Sequence, residues 1–410
     1  MENPLLILTA VGLSAILVVS LVSAARYLTL FFFVCYTLPF LPLVSSIFGA
    51  DSEFWTDGTF SYASSSLPVY GLALVWIVSI TGMLLALLLL RTKDRSNTLM
   101  GLHGKSSFAD GGRSRIVVGL VFPILFTSVI SRFFFYAEVE AVFPGMDPLI
   151  CFVFVFCWAF VVSSGSGRAY IYLSATTIMY IISQLISGDR DFFVFLFALG
   201  LFWMCRGKLK FSALLQIGLL GLLLVFFGVA VSMVRMDVEF STEQLQLFLR
   251  YNSWNAIILP VLSMIEAEWS SIPILYGKTY FDLLVSALPS PIFYILEVSK
   301  PINIDNPADW FYIEGLGGIH VAGVALRNFG LIGVFLQSLL FTIGLISTEN
   351  MISRRVTFTN LFFFLLIAAA IMHTVWYGLI YLVNALVFYF VMVVILHLFE
   401  LNPVRGFKTK

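Results

Sequence analysis

Residues 357–400 read TFTNLFFFLLIAAAIMHTVWYGLIYLVNALVFYFVMVVILHLFE, with no Asp, Glu, Lys or Arg before Glu400. A stretch of about 20 mainly apolar residues crosses the hydrocarbon core of a bilayer. This run is long enough for two crossings, and it reads as spans at 357–375 and 377–400. Comparable stretches occur near 4–24, 27–49, 68–90, 116–136, 149–166, 169–187, 191–205, 211–235 and 329–347. The expected fold is therefore an all-α integral membrane protein with about eleven transmembrane helices.

Composition agrees with that reading. The 410 residues are 60% hydrophobic and 11% charged, whereas a soluble domain carries roughly a quarter charged residues. That shortage excludes a soluble enzyme, a nucleic-acid binder and a disordered chain. The formal net charge is zero, so no basic excess points to nucleic acid. Cys35, Cys151, Cys157 and Cys205 all lie in apolar stretches and show no metal-binding spacing. The start, MENPLLILTAVGLSAILVVS, lacks the basic segment of a signal peptide and reads as a retained first span.

Charge sorts the connections between spans into two sets. Arg26, the loop 91–115, Arg168, RGKLK (206–210), ISRR (352–355) and the C-terminal tail together hold 16 of the 23 Lys and Arg residues. The alternate connections hold seven basic residues and 19 acidic ones. Because Lys and Arg favour the cytoplasmic side, the first set is expected inside. Eleven spans then put the N-terminus outside and the C-terminus inside.

One outer connection is exceptional. Residues 236–328 run for about 90 residues without a convincing span, and loops this long are usually functional. Within it, KTYFDLLVSALPSPIFYILEVSK is apolar but carries Pro289-Ser290-Pro291 at its centre, and it reads as a re-entrant or interfacial helical pair. The whole chain, 1–410, reads as one polytopic membrane domain containing this loop. No internal repeat is visible, and the spans carry almost no charge near their middles, which argues against an ion-coupled transporter.

Ionisable groups cluster instead at the outer ends of spans and in the large loop. SGDRDFF (187–193) is the densest group. Its arginine could be held by two flanking aspartates in a plain polar turn. Alternatively, Arg190 could clamp a diphosphate, since a guanidinium grips two oxygens at once and keeps its charge. Asp189 and Asp191 could hold a divalent cation, but the arginine between them would repel it, so no metal is expected. YGKTYFDLL (276–284) offers Tyr276, Lys278 and Tyr280, either as an aromatic belt with a snorkelling lysine or as ligand contacts. IEGLGGIHVAGVALRNFGLIGV (313–334) brings Glu314, His320 and Arg327 into a glycine-rich segment where backbone could approach a ligand, with His320 either structural, the commoner case for a lone histidine, or an acid/base or phosphate contact. Arg250 and Lys300 add cations to the same loop, and His373 with Tyr377 ends span ten on the outer side. There is no Walker motif, GxGxxG turn opening a helix, HExxH or GxSxG, and no cofactor is expected.

Three of these features occur together: Gly188-Asp189-Arg190 opening a late span, YGKTYFDLLVSALPSPIFYILEVSKP (276–301), and NFGLIGV (328–334) entering the next span. In this the chain resembles the O-antigen polymerase family (Wzy), the repeat-unit polymerases of bacterial surface polysaccharides. The resemblance covers the general hydropathy and, specifically, residues 187–206 and 274–340. It departs at Pro289-Ser290, where many relatives have an arginine after the proline, and at Val324-Ala325-Leu326, where many carry a polar or acidic group. Lys300, Arg327 or Glu314 would then fill those roles.

The resemblance implies a glycosyltransferase of the C type in the bacterial inner membrane, with its active site facing the periplasm. Donor and acceptor would be glycans on undecaprenyl diphosphate, embedded in membrane lipid, with a chain-length regulator protein as a further partner and no nucleic acid. The donor already carries the activation energy, so no nucleotide site is required. Arg190, Lys278, Arg327, Lys300 and Arg250 are the candidate diphosphate contacts, with Tyr276, Tyr280, His373 and Tyr377 beside them. His320 and Glu314, with Asp191 in reserve, are candidates for activating the acceptor hydroxyl. An O-antigen ligase shares this chemistry, and a lipid-linked oligosaccharide flippase is the non-enzymatic alternative.

The charge asymmetry makes a topological test. A cysteine placed at Asn303 should react with an impermeant thiol reagent in intact spheroplasts, and one placed at Ser107 should react only after lysis. The opposite pattern would invert the topology.

Overall fold

A computed structural model of the chain describes residues 4–24, 26–40, 43–44, 67–90, 146–164, 167–187, 274–286, 288, 290–299, 319–354 and 357–398, with scattered positions between 122 and 134 and at 241, 257–258, 261 and 265. Ten helices are relevant here: α1 (Pro4–Ser23), α2 (Tyr27–Thr37), α3 (Leu67–Leu89), α4 (Met146–Ser164), α5 (Gly167–Ser187), α6 (Lys278–Ser286), α7 (Ser290–Ile295), α8 (Val321–Arg354), α9 (Phe358–Tyr377) and α10 (Ile380–Leu398). No strand occurs among the described residues. Among the described residues, five stretches, in α1, α3, α8, α9 and α10, are long and apolar enough to cross a membrane. The protein is thus an all-α membrane protein. The expected spans at 191–205 and 211–235, and most of 116–136, lie outside the described residues.

The chain divides into two compact units that interleave along the sequence. The first comprises residues 1–94, 246–347 and 371–384; the second comprises 95–245, 348–370 and 385–410. In the second unit, α4 packs on α5 through Phe154 against Tyr180, and the Trp158 indole donates to the Thr177 hydroxyl at 3.2 Å. Phe156 stands edge-on to Phe358 and Phe362, with ring centres 5.6 and 5.2 Å away. Aromatic side chains with few torsions fill such a core with little entropy loss.

In the first unit, α3 meets α8 where α3 has no side chain to interpose. A Cβ at Gly82 would fall 2.6 Å from the carbonyl oxygen of Phe335, so only glycine admits this approach. Close backbone contact of this kind drives helix association in lipid, where burial of apolar surface adds nothing.

The span expected at 27–49 is described over 27–40 and 43–44, and its helix is interrupted. Helix α2 stops at Thr37 and passes into a 3-10 turn over Leu38–Phe40. The cause is Pro39. A proline has no N–H to offer, so it can serve neither the carbonyl four residues back (Cys35) nor, in 3-10 geometry, the one three back (Tyr36). An unsatisfied backbone group in hydrocarbon costs several kcal/mol. Both carbonyls are satisfied from far along the chain. The Trp376 indole donates to Cys35 O at 3.3 Å, and the His320 imidazole meets Tyr36 O at 3.0 Å.

If Trp376 acts as this cap, Trp376→Phe should destabilise the protein by about 1–3 kcal/mol, the cost of leaving a buried acceptor bare. Pro39→Ala restores an N–H near the same carbonyl and should recover part of that loss. Thermal unfolding of the two single variants and the double variant in detergent measures the coupling. Simple additivity would show that Trp376 contributes packing only.

Candidate functional site

The two loop segments that stand out in the sequence, 276–286 and 319–337, come together in the first unit, and the reason is a break in α8. The stretch Val321–Arg354 is two helical arms joined at Phe329 (φ −143°, ψ 15°) and Gly330 (φ 63°, ψ −152°), which leave helical geometry. The pair of angles at Gly330 is essentially reserved for glycine.

The chain does more than bend there. A straight helix would hold residues 321 and 337 roughly 24 Å apart. Instead the Gln337 amide donates to Val321 O at 3.0 Å. A Cβ at Gly333 would fall 2.5 Å from Ala325 O. Both pairs are centred on Phe329, so residues 321–328 fold back along 331–354. The span expected at 329–347 corresponds to the long arm, while 321–328 is a short buried arm that does not extend it.

Each end of the short arm has its loose backbone groups satisfied. At the start, His320 Nδ1 accepts the Ala322 N–H at 3.2 Å, and the His320 N–H donates to Ile257 O at 2.9 Å. At the end, Leu275 N–H donates to Arg327 O at 3.1 Å, and the Asn328 amide donates to Val324 O at 2.8 Å. The other face of Asn328 accepts the Thr279 N–H at 3.3 Å, an orphan donor in the first turn of α6. Tyr280 lies flat over Phe329, with ring centres 6.1 Å apart, and its hydroxyl donates to Gln337 Oε1 at 2.6 Å. Two amides, Asn328 and Gln337, therefore tie α6 to both arms.

The turn leading into α6 is itself constrained. Tyr276 (φ 46°) and Gly277 (φ 87°) both adopt left-handed backbone, and a Cβ on Gly277 would meet the Phe329 ring at 2.9 Å. Lys278 follows, exposed and paired with Asp282 one turn on. Lys278, Tyr280 and the backbone of Arg327 thus converge on the break, and Tyr276 stands exposed beside them.

As a glycine-loop histidine, His320 was also a candidate to activate an acceptor hydroxyl. It is fully buried, with its ring edge-on to Tyr36 and Phe40. Nδ1 accepts from Ala322, so Nε2 carries the proton and donates to Tyr36 O. Both nitrogens are occupied by backbone, in keeping with the structural reading of this ring: it is a cap shared by α2 and the short arm. Burial pushes its pKa down to about 3, against the opposing pull of the Tyr36 carbonyl. The ring therefore stays neutral in the folded protein, while in the unfolded chain it binds a proton near the ordinary histidine value of 6.5. Its contribution to stability is intact above that value and is lost as pH falls below it.

His373 stacks on Tyr381 at 4.6 Å, and Tyr377 ends α9. Arg190, Asp191, Arg250, Lys300 and Glu314 lie outside the described residues. Sequence reasoning passed over Asn328, Gln337 and Trp376. Their signal was a polar amide or an indole N–H within an apolar run, where such groups persist only with a partner. Comparison with protein-family models, curated proteins and solved structures gives no match.

The break makes a paired prediction. Gly330→Ala should destabilise by about 1–3 kcal/mol through backbone strain alone, since a Cβ there meets nothing within 4 Å. Gly344 in the long arm is equally open. There Ala should be neutral or stabilise by up to about 1 kcal/mol. Equal responses in thermal unfolding would mean that Gly330 does not set the break.

Proposed function

We propose that this chain polymerises oligosaccharide repeat units carried on undecaprenyl diphosphate, as a glycosyltransferase of the bacterial inner membrane working at the periplasmic face. The observation that carries the reading is the meeting of two segments that underlie the resemblance. YGKTYFDLL and NFGLIGV are held together by Thr279–Asn328, Tyr280–Phe329 and Tyr280–Gln337. In this reading the chain crosses the membrane about eleven times, and residues 236–328 lie on the periplasmic side. A chain-length regulator would be its protein partner.

The chemistry assigned to it is a single displacement. An acceptor hydroxyl oxygen bonds to the anomeric carbon of the donor glycan as the bond from that carbon to the diphosphate oxygen breaks. The lipid diphosphate departs with the electron pair, and the hydroxyl proton passes to a base. Glu314 and Asp191 remain the candidates for that base. Arg190 would stabilise the leaving diphosphate, with Lys278, Arg327, Lys300 and Arg250 as further cations and Tyr276, Tyr280, His373 and Tyr377 against the glycan or its carrier. Positioned charge of this sort needs neither nucleotide nor metal.

Arg190 provides the test. Removing one charge-stabilising contact at a leaving group costs about 3–4 kcal/mol of barrier, or two to three decades in rate. Arg190→Ala should leave a membrane-inserted protein that makes essentially single-unit product. Arg190→Lys should be impaired less severely, because lysine lacks the planar fork. Lipopolysaccharide ladders at matched protein level measure both. A normal ladder from Arg190→Lys, with reduced abundance of Arg190→Ala, would assign Arg190 to structure. A deletion strain whose lipid A core carries no unit at all would point to a ligase.

A further inference from the structure

Helix α6 turns Thr279, Leu283 and Ser286 inward. Its outer side carries Phe281 and Leu284, both about two-thirds exposed, and the short α7 continues the surface with Tyr294 (88% exposed), Ile295 (76%) and Leu296. A soluble surface rarely presents so many large apolar groups together. Among the described residues of this segment, the charges are the Lys278–Asp282 pair, whose carboxylate is largely covered, and Glu297 beyond α7.

The patch does not stand alone. α6 is fastened to Phe329 and Gln337, at the end of the long arm of α8. From Phe329 an exposed apolar stripe runs down that arm through Ile332, Leu336 and Leu340. Positions 332, 336 and 340 recur at helical spacing and form the face that a membrane-spanning helix turns to lipid. The α6–α7 surface is therefore continuous with a lipid-covered one, at the level where the span ends. Tyrosines such as Tyr276 and Tyr294 are the residues that settle at this depth, with the ring among acyl chains and the hydroxyl in the headgroup layer.

We infer that α6–α7 is a membrane-inserted hairpin whose outer surface is covered by bilayer lipid, so that the lipid surface itself holds the turn 276–278 and the break in α8 at the interface. The hairpin lies along the interface without spanning it. This holds whichever reaction the chain performs.

Photo-crosslinking of the full chain in its native membrane tests the assignment. Benzophenone-alanine replaces Leu284 or Ile295 in separate variants, with Leu336 as the lipid-facing control, and products are read by intact mass. The expected result is a lipid adduct as the main product at 284 and 295, in yield comparable to that at 336. A covalent dimer of the chain, or a crosslink to another protein, would overturn the proposal and assign the face to that partner. No adduct at 284 or 295, beside a lipid adduct at 336, would overturn it by showing a face in water. Failure at 336 as well would remove the lipid-facing stripe on which the assignment rests.

Discussion

Backbone polar groups inside a bilayer have no water to turn to, and this constraint shapes the protein wherever a helix is interrupted. Among the described residues a helix is interrupted at Pro39 and again, where the span of α8 ends, at Phe329–Gly330. At the first break two carbonyls lose their donors; at the second, two helix ends face each other. One residue joins the first break to the start of the short arm that leads into the second. The His320 ring donates to a carbonyl freed by Pro39 and accepts an N–H at the start of the short arm of α8. A ring that donates at one nitrogen and accepts at the other must be neutral, and the burial of His320 keeps it so. Charge there would remove the acceptor and leave the Ala322 N–H at the start of the short arm without its cap.

The sequence made some of this legible. Long apolar runs located α1, α3, α9 and α10 to within a few residues, because hydropathy and length are nearly sufficient where lipid is the solvent. The helical pair around Pro289 was also legible, since α6 and α7 flank that proline with an amphipathic pattern. The fold-back of α8 was not. Hydropathy puts a boundary at 328/329 and reads VAGVALRN as the end of a loop, with nothing to mark it as a buried helical arm returning along the span. What separates the arms is the backbone angle at Gly330 and the reach of Gln337 to Val321, and neither leaves a mark on the hydropathy profile.

The same limit applies to the site. Residue type identified His320 as chemically capable, but type alone could not distinguish a catalytic ring from a capping one; its two backbone partners do. Conversely, Asn328 and Gln337 carry no chemistry that a motif search would notice. They nevertheless decide which loop side chains stand near one another, because each uses both ends of its amide to join α6 to α8. Lys278 and Tyr280 owe their position at the break to these two neutral residues, with no charge on either.

The caps on α2 also bear on the order in which the protein is made. Cys35 and Tyr36 are synthesised early, whereas His320 and Trp376 emerge 284 and 341 residues later. At roughly 5–20 residues per second, the Cys35 carbonyl waits roughly 20–70 s for its indole. During that interval the carbonyl lacks its donor, a deficit of about 1–3 kcal/mol at the Pro39 end of α2. The cap on the second helix is therefore completed only once residue 376 has been made, and a chain that stops short of it carries that helix with one end bare.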